Sequence, residues 1–319
     1  MDWDIRFNTG ATTYRLGTLA ECEIDSSVDN LADTAIIVLP EAVMNQVISI
    51  QDKVTRGSTV SIKLGYDNNL VDEFEGFVED IITVDSSLKI KCEDALFLYR
   101  TSVKDEELKP TSIKNIAQSI TEQINPEYTV NCDYDVHYEK FTIHQATGYD
   151  VLKKLQEETK ANIYFDTQNK VLHIHPPYTE KGGEVTYSMH HNIEQSSLEW
   201  KRASDKKIEV TVESTDINGK VKKVIAGTTG GDKITLKVGP MSESDIKKVA
   251  DAALRKHNFD GYDGTLDGWL LPVCKPTYSA KIIDADYPER VGSYYVVAVK
   301  TSFNESGGKR TVTPGIKLN

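Results

Sequence analysis

The residues in this sequence best suited to chemistry are its seven histidines, and two of them, His173 and His175, share the apolar run Val171–His175. In a strand, residues two apart point to one face, so both imidazoles would project together, with His190-His191 following nearby. Two imidazoles on one face could begin a metal site. No HExxH and no acidic ligand pattern accompanies them, so exposed or hydrogen-bonded histidine is the simpler reading. Glu157-Glu158 offers two carboxylates. Adjacent helical residues point about 100° apart, however, and a glycosidase needs its second carboxylate across a cleft. A solvated helix face is expected instead. The run from Gly227 to Lys233, GTTGGDK, has the composition of a phosphate loop without its spacing, and Ile234 rather than Ser or Thr follows the lysine. It reads as a flexible loop between strands. There is no GxSxG and no Cys-His nucleophile pair. Cys22, Cys92, Cys132 and Cys274 are scattered without metal spacing and read as reduced, buried thiols. No catalytic, cofactor-binding or metal residue is therefore assigned, and the chain is expected not to be an enzyme and to need no cofactor.

With 319 residues, 39% hydrophobic and 27% charged, the chain suits two or three folded domains rather than disorder. Its net charge of −12, from 37 Lys and Arg against 49 Asp and Glu, argues against a protein that grips nucleic acid by its phosphates. It does not argue against one that lets nucleic acid slide past. No window approaches 18 uncharged apolar residues, so no membrane span is expected. Met1-Asp2-Trp3-Asp4-Ile5-Arg6 has neither the basic region nor the apolar core of a signal peptide, and cytoplasmic synthesis and folding are expected.

The elements that must position these residues follow from period and punctuation. Strands are predicted around the turn Asn8-Thr9-Gly10, then at Cys22–Ser26 and Thr34–Leu39 as a hairpin, followed by a short apolar piece, Met44–Ser49. Thr59–Tyr66, Glu73–Thr83 and Leu88–Asp94 alternate apolar and polar residues, separated by turns at Asp67-Asn68-Asn69 and Asp85-Ser86-Ser87. A charge run from Lys104 and Pro110-Thr111-Ser112 open a different unit. Ile113, Ile116, Ala117, Ile120 and Ile124 recur at helical spacing until Asn125-Pro126. Strands at Tyr128–Cys132 and Phe141–His144, a helix over Tyr149–Lys160, and strands at Ile163–Phe165 and Val171–His175 complete an α+β insert ending at Pro176-Pro177. Strands return at Val185–Met189, Ile208–Thr215, Lys220–Ala226 and Ile234–Val238, with a hairpin signal at Asp216-Ile217-Asn218-Gly219. A helix near 243–257 follows, capped by Ser242 or Ser244.

The last stretch, Phe259–Leu318, reads as closing strands at Ser279–Ile283, Gly292–Ser302 and Lys309–Leu318. In Tyr294–Val299 simple alternation puts Tyr294, Val296 and Ala298 on one face and Tyr295, Val297 and Val299 on the other, so both faces should be covered. The fold class expected is α+β, mainly β, with two small antiparallel β-barrels flanking an α+β insert. Residues 1–103 form the first barrel, 104–180 the insert, and 181–319 the second barrel with its inserted helix.

A helix of small residues (Val249–His257), the glycine-spaced FDGYDG run from Phe259, the Trp269-Leu270-Leu271-Pro272 entry, the Gly292-x-Tyr294-x-Val296 strand and the Gly307-Gly308 turn stand in one order. That order resembles the C-terminal barrel of phage baseplate hub proteins, the family of late control protein D and of the hub portion of type VI secretion VgrG proteins. The segment Cys22–Pro40 is similar to the opening of that family's first barrel. The resemblance implies a structural baseplate hub in a phage-like tail or related injection apparatus, a homotrimer adapting a sixfold tail tube to a threefold spike. It implies a tail tube protein and a separate spike as partners, the latter because this chain ends at Asn319 where secretion-type members continue. Location in the virion tail or baseplate, from phage or prophage, goes with it. DNA would pass through the ring without specific binding, and Asp25, Asp29, Glu73, Glu75, Glu79 and Asp80 are candidates for an acidic inner wall. The rival reading is a cell-wall-binding module or peptidoglycan hydrolase associated with the tail, built on the insert.

Overall fold

The computed structural model describes residues 1–10, 12–40, 53–84 and 87–318. The apolar piece Met44–Ser49 and the turn residues Asp85 and Ser86 lie outside them. The chain is mainly β, and among the described residues its strands gather into a 15-stranded sheet and four smaller ones, none of them closed.

Along the main path of the large sheet the order is Gln195–Ser196, Leu266–Trp269, Gly307–Lys317, Gly292–Asn304, Glu21–Ser27, Thr34–Leu39, Ser87–Glu93, Asn69–Val84, Thr59–Tyr66, Asp2–Asn8 and Thr13–Arg15. The N-terminal strands fall where alternation places them. Val60, Ile62 and Leu64 are buried while Thr59, Ser61 and Lys63 are less so, and the turn at Asp67-Asn68 takes positive φ at both residues, the conformation that Asn and Asp tolerate best.

Two separate barrels were the expectation, and the ladders instead join the two β units. Glu21–Ser27 pairs antiparallel with Gly292–Asn304 from Ser27↔Ala298 to Glu21↔Asn304. The sheet nevertheless curls, because strands far apart along it touch. Tyr66 Oη donates to Gly308 O at 3.3 Å, and Leu270 and Phe303 pack in the same core as Ile5, Ile37 and Ile62. Alternation reports that a strand has a buried face; it does not report whether the partner is another turn of one sheet or a closing strand. Nor is the pairing wholly antiparallel, since Glu184–Ser188 runs parallel to Ser279–Ile283, and Ile208–Thr215 parallel to Asp232–Val238.

Among the described residues four α-helices are present: α1 (Leu96–Tyr99), α2 (Ile113–Ile124), α3 (Gly148–Thr159) and α4 (Glu243–His257). Ser112 caps α2 by accepting from Asn115 N–H, and Ile113, Ile116, Ala117 and Ile120 are buried as the period requires. Thr147 and Asp150 form a reciprocal capping box on α3. Ser242 caps α4, whose last turn carries Arg255, Lys256 and His257 against the helix dipole.

The insert is built on the three strands Thr129–Cys132, Val171–His175 and Asn162–Asp166, with the middle one parallel to the first and antiparallel to the third. Leu172 and Ile174 join the core of α2 and α3. Ile208, Val210 and Val212, with Ile246, Val249 and Ala253 of α4, lie in that same core. The segment Ile208–His257, read from the sequence with the C-terminal β unit, thus packs on the insert. In Tyr294–Val299 a β-bulge shifts the register between Tyr294 and Ala298. Val299 consequently shares a core with Tyr294 and Val296, where strict alternation puts it on the opposite face.

Candidate functional site

Three units meet at a cavity of about 400 Å³. The N-terminal β unit contributes Asp33, Glu75 and Asp94, the insert contributes His173 and Glu180, and the C-terminal β unit contributes Lys275. The wall is acidic and partly desolvated. Burial, the largest influence, pushes the Asp33 carboxyl up to about 6. Asp94 is held well above the ordinary carboxylate range, by burial first and then by the charge of Asp33. Its two oxygens accept from Asp33 N–H (2.9 Å) and Leu96 N–H (2.8 Å), fixing the entry to Thr34–Leu39 and the start of α1 together. Glu75 is raised as well, by burial and then by Asp72.

The same cavity is lined by an ion pair that the sequence reading missed. Arg310, 2% exposed, donates to both oxygens of Glu73 (2.7 and 3.1 Å), to Leu270 O (3.1 Å), Cys274 O (3.2 Å) and Thr301 Oγ1 (3.0 Å). Every polar direction of the guanidinium fork that these contacts use points into protein. The signal in the sequence is parity: Arg310 shares its strand face with buried Gly308, Val312 and Pro314.

The outer face of the insert's sheet is polar, and it faces the β units. Asn162, fully buried, donates to Val28 O (2.9 Å) and accepts from Tyr178 N–H (2.7 Å). Asp29 receives Tyr178 Oη–H (2.9 Å) and Lys256 Nζ (2.6 Å). His173 and His175 do point to one face, with His173 Nδ1 3.2 Å from His175 Nε2. His173 stacks on Tyr164 at 4.9 Å, and burial lowers its pKa, which favours neutral imidazole. His175, 2% exposed, turns Nδ1 to Asp133 Oδ1 (2.7 Å) and Glu180 Oε2 (3.5 Å). The fold therefore supplies the acidic neighbours that no local pattern shows. His190 and His191 lie elsewhere, exposed.

The other sequence candidates have structural roles. Glu157 is solvated as expected, but Glu158 is half-buried and accepts from Gly239 N–H at 3.2 Å. The loop from Gly227 to Lys233 spends its amides internally: Thr228 N–H on Ile208 O, Gly230 N–H on Glu209, Gly231 N–H on Thr228 O and Asp232 N–H on Lys207 O. A phosphate would find those donors taken. All four cysteines are free thiols, and burial pushes Cys22 up to about 12 and Cys274 up to about 11, so neither is a thiolate at neutral pH. Of the six acidic wall candidates, Glu73 and Asp29 are consumed by Arg310 and by Lys256 and Tyr178, Glu75 lines the cavity, and Glu79 is half-buried. Asp25 and Asp80 are exposed.

Several edges stay open among the described residues. Thr13–Arg15 and Gln195–Ser196 end the main sheet, and Glu184–Ser188 ends its branch. Trp269, 55% exposed, ends Leu266–Trp269, the partner of the Gln195–Ser196 edge strand, and Leu271, 53% exposed, follows it. Among the described residues no helix is long and apolar enough to cross a membrane.

No protein-family profile matches this sequence, and no curated protein matches it by sequence. Solved structures do match its fold along its length. The tail protein from Neisseria meningitidis MC58 aligns with a TM-score of 0.69 at 14% identity, covering 98% of this chain and 96% of that one. The 43 kDa tail protein of prophage MuSo2 from Shewanella oneidensis gives 0.68 at 14%, covering 98% of each. The E. coli c3393 protein, a component of the type VI secretion system, gives 0.63 at 10%, covering 99% of this chain and 77% of that one. The chain has the fold of phage tail and VgrG-type secretion proteins, as the hub resemblance implied.

Proposed function

We propose that this chain is a structural hub of a phage-like tail or related injection apparatus, working as a homotrimer that adapts a sixfold tail tube to a threefold spike. The observation that carries the reading is the seam between Glu21–Ser27 and Gly292–Asn304, which fuses two β units of one chain into a continuous curled sheet. Three such chains in a ring would offer six β units, and that arrangement reconciles sixfold with threefold partners. The full-length likeness to tail proteins supports it. Open edges at Thr13–Arg15, Glu184–Ser188 and Gln195–Ser196 supply backbone donors and acceptors for neighbouring copies or a tube protein, and pairing between copies would close what one chain leaves open. Placement in the virion tail and passage of DNA without specific binding belong to the same reading.

Light scattering on the purified chain tests it. A mass about three times 35.6 kDa, or a threefold ring by electron microscopy, is expected. A chain that remains monomeric at high concentration and also when mixed with tube and spike partners would overturn the hub assignment.

A further inference from the structure

We infer that His175, Asp133 and Glu180 form a divalent metal site that clips the segment leaving the insert back onto it. The three ligand atoms lie within 4.8 Å of one another and come from separate places in the chain: the loop after Thr129–Cys132, the end of Val171–His175, and the segment beyond Pro176-Pro177. Zinc bonds to imidazole nitrogen and carboxylate oxygen of about 2.1 Å put tetrahedral ligands about 3.4 Å apart. His175 Nδ1 to Glu180 Oε2 is already 3.5 Å, and the 2.7 Å contact to Asp133 Oδ1 needs to open by less than an ångström.

Two further features suit a metal. His175 is 2% exposed while Asp133 is 58% exposed, so the imidazole is held rigidly at the bottom of a site whose mouth reaches solvent. Its second nitrogen is held by His173 Nδ1 at 3.2 Å, and His173 is itself stacked on Tyr164. A ligand imidazole whose far nitrogen is fixed in this way has its orientation set before the metal arrives. When His175 donates from Nε2 to His173, its Nδ1 lone pair and two carboxylates converge with no donor between them. A cation resolves that conflict. A proton on Nδ1 resolves it too, and metal binding must displace that proton. One imidazole with two carboxylates suits zinc or manganese rather than a soft thiophilic ion or the all-oxygen shell of calcium. The site would tie Glu180, on the way to Glu184–Ser188, to the insert, and so would stiffen the crossover into the C-terminal β unit.

The experiment uses the untagged full chain, stripped with chelator and titrated with Zn²⁺ by calorimetry and with Co²⁺ by visible absorption. One equivalent of each is expected, together with a rise in melting temperature that grows with Zn²⁺ concentration. Asp133→Asn and Glu180→Gln should each weaken Zn²⁺ binding at least tenfold, and His175→Asn should abolish it, whereas His190→Ala should leave it unchanged. Asp133 and Glu180 are exposed enough for their variants to fold, so the result does not depend on tolerance at His175. Wild-type chain that binds no Zn²⁺, or binding that survives Asp133→Asn with Glu180→Gln, would overturn the assignment. Binding is read on the chain alone, so its outcome is separate from that of the ring assembly.

Discussion

Replacing Arg310 with Met should be among the most damaging single changes in the C-terminal half. Arg310 and Glu73 sit on strands separated along the sheet path by Gly292–Asn304, Glu21–Ser27, Thr34–Leu39 and Ser87–Glu93, so their contact exists only because the sheet curls. Their side chains are 2% and 5% exposed. Arg310→Met leaves the Glu73 carboxylate buried without its cation, and the carbonyls of Leu270 and Cys274 and the Thr301 hydroxyl without this donor. Breaking a buried pair from one side costs about 3–5 kcal/mol. Glu73→Gln keeps a neutral acceptor for the guanidinium and should cost about 2 kcal/mol, the scale of one charged hydrogen bond. The double replacement Arg310→Met with Glu73→Leu removes both charges, and should recover most of the single-variant loss, since only neutral acceptors remain unpaired. Urea unfolding followed by tryptophan fluorescence reads this out, Trp269 lying on the strand that pairs with Arg310's own. A loss under about 1 kcal/mol for Arg310→Met, or a double variant as unstable as the sum of the singles, would refute the argument that the pair is desolvated and coupled.

Further outcomes follow from other contacts. The Asp33 carboxyl, raised to about 6 by burial, keeps in the folded chain a proton that the unfolded chain releases at its ordinary value of 3.8. Its contribution to stability is therefore full below about pH 4 and lost as pH rises through about 6. Asp33→Asn should flatten that fall by about 1–2 kcal/mol when melting curves of the two proteins are compared across pH 4–7. Thr147→Ala removes the side-chain half of the α3 capping box and should cost about 1 kcal/mol in urea, with no change in oligomeric mass. Gly148→Ala should be worse, because a Cβ there would stand 2.4 Å from Ile124 Cδ1, which can swing aside, but also 3.0 Å from Tyr99 Cδ1 and 3.1 Å from the Tyr99 carbonyl oxygen, which cannot without moving α1; a neutral result would mean that α1 and α3 can shift apart freely. Trp269→Ser with Leu271→Ser should leave chain stability within about 0.5 kcal/mol yet weaken self-association by light scattering, and unchanged association would remove that patch from the assembly surface.

What the sequence could and could not show divides along physical lines. Local rules reached the turn at Asp67-Asn68 and the central helices, and narrowed their caps to Thr111 or Ser112 and to Ser242 or Ser244, of which Ser112 and Ser242 serve, because caps and periodicity act within a few residues. The same rules said that Val171–His175 puts both histidines on one face, and they lie 3.2 Å apart. They could not say that Asp133 and Glu180 would be there as well, since the neighbours of a central strand are chosen by register with other strands rather than by spacing along its own. Partner choice also explains the barrels. Glu21–Ser27 carries the same alternation whether its second neighbour comes from its own unit or from Gly292–Asn304, and only the pairing decides. Glu73 makes the point most sharply. Its strand alternates with buried Phe74, Gly76 and Val78 on the opposite parity, so the pattern assigns it to solvent and hence to the wall of a conduit. The C-terminal unit folds over that face and delivers Arg310 to it. A carboxylate read as free to repel DNA is instead one half of the lock that holds two β units together, so any acidic lining of a ring must come from residues such as Asp25 and Asp80, whose side chains remain in water.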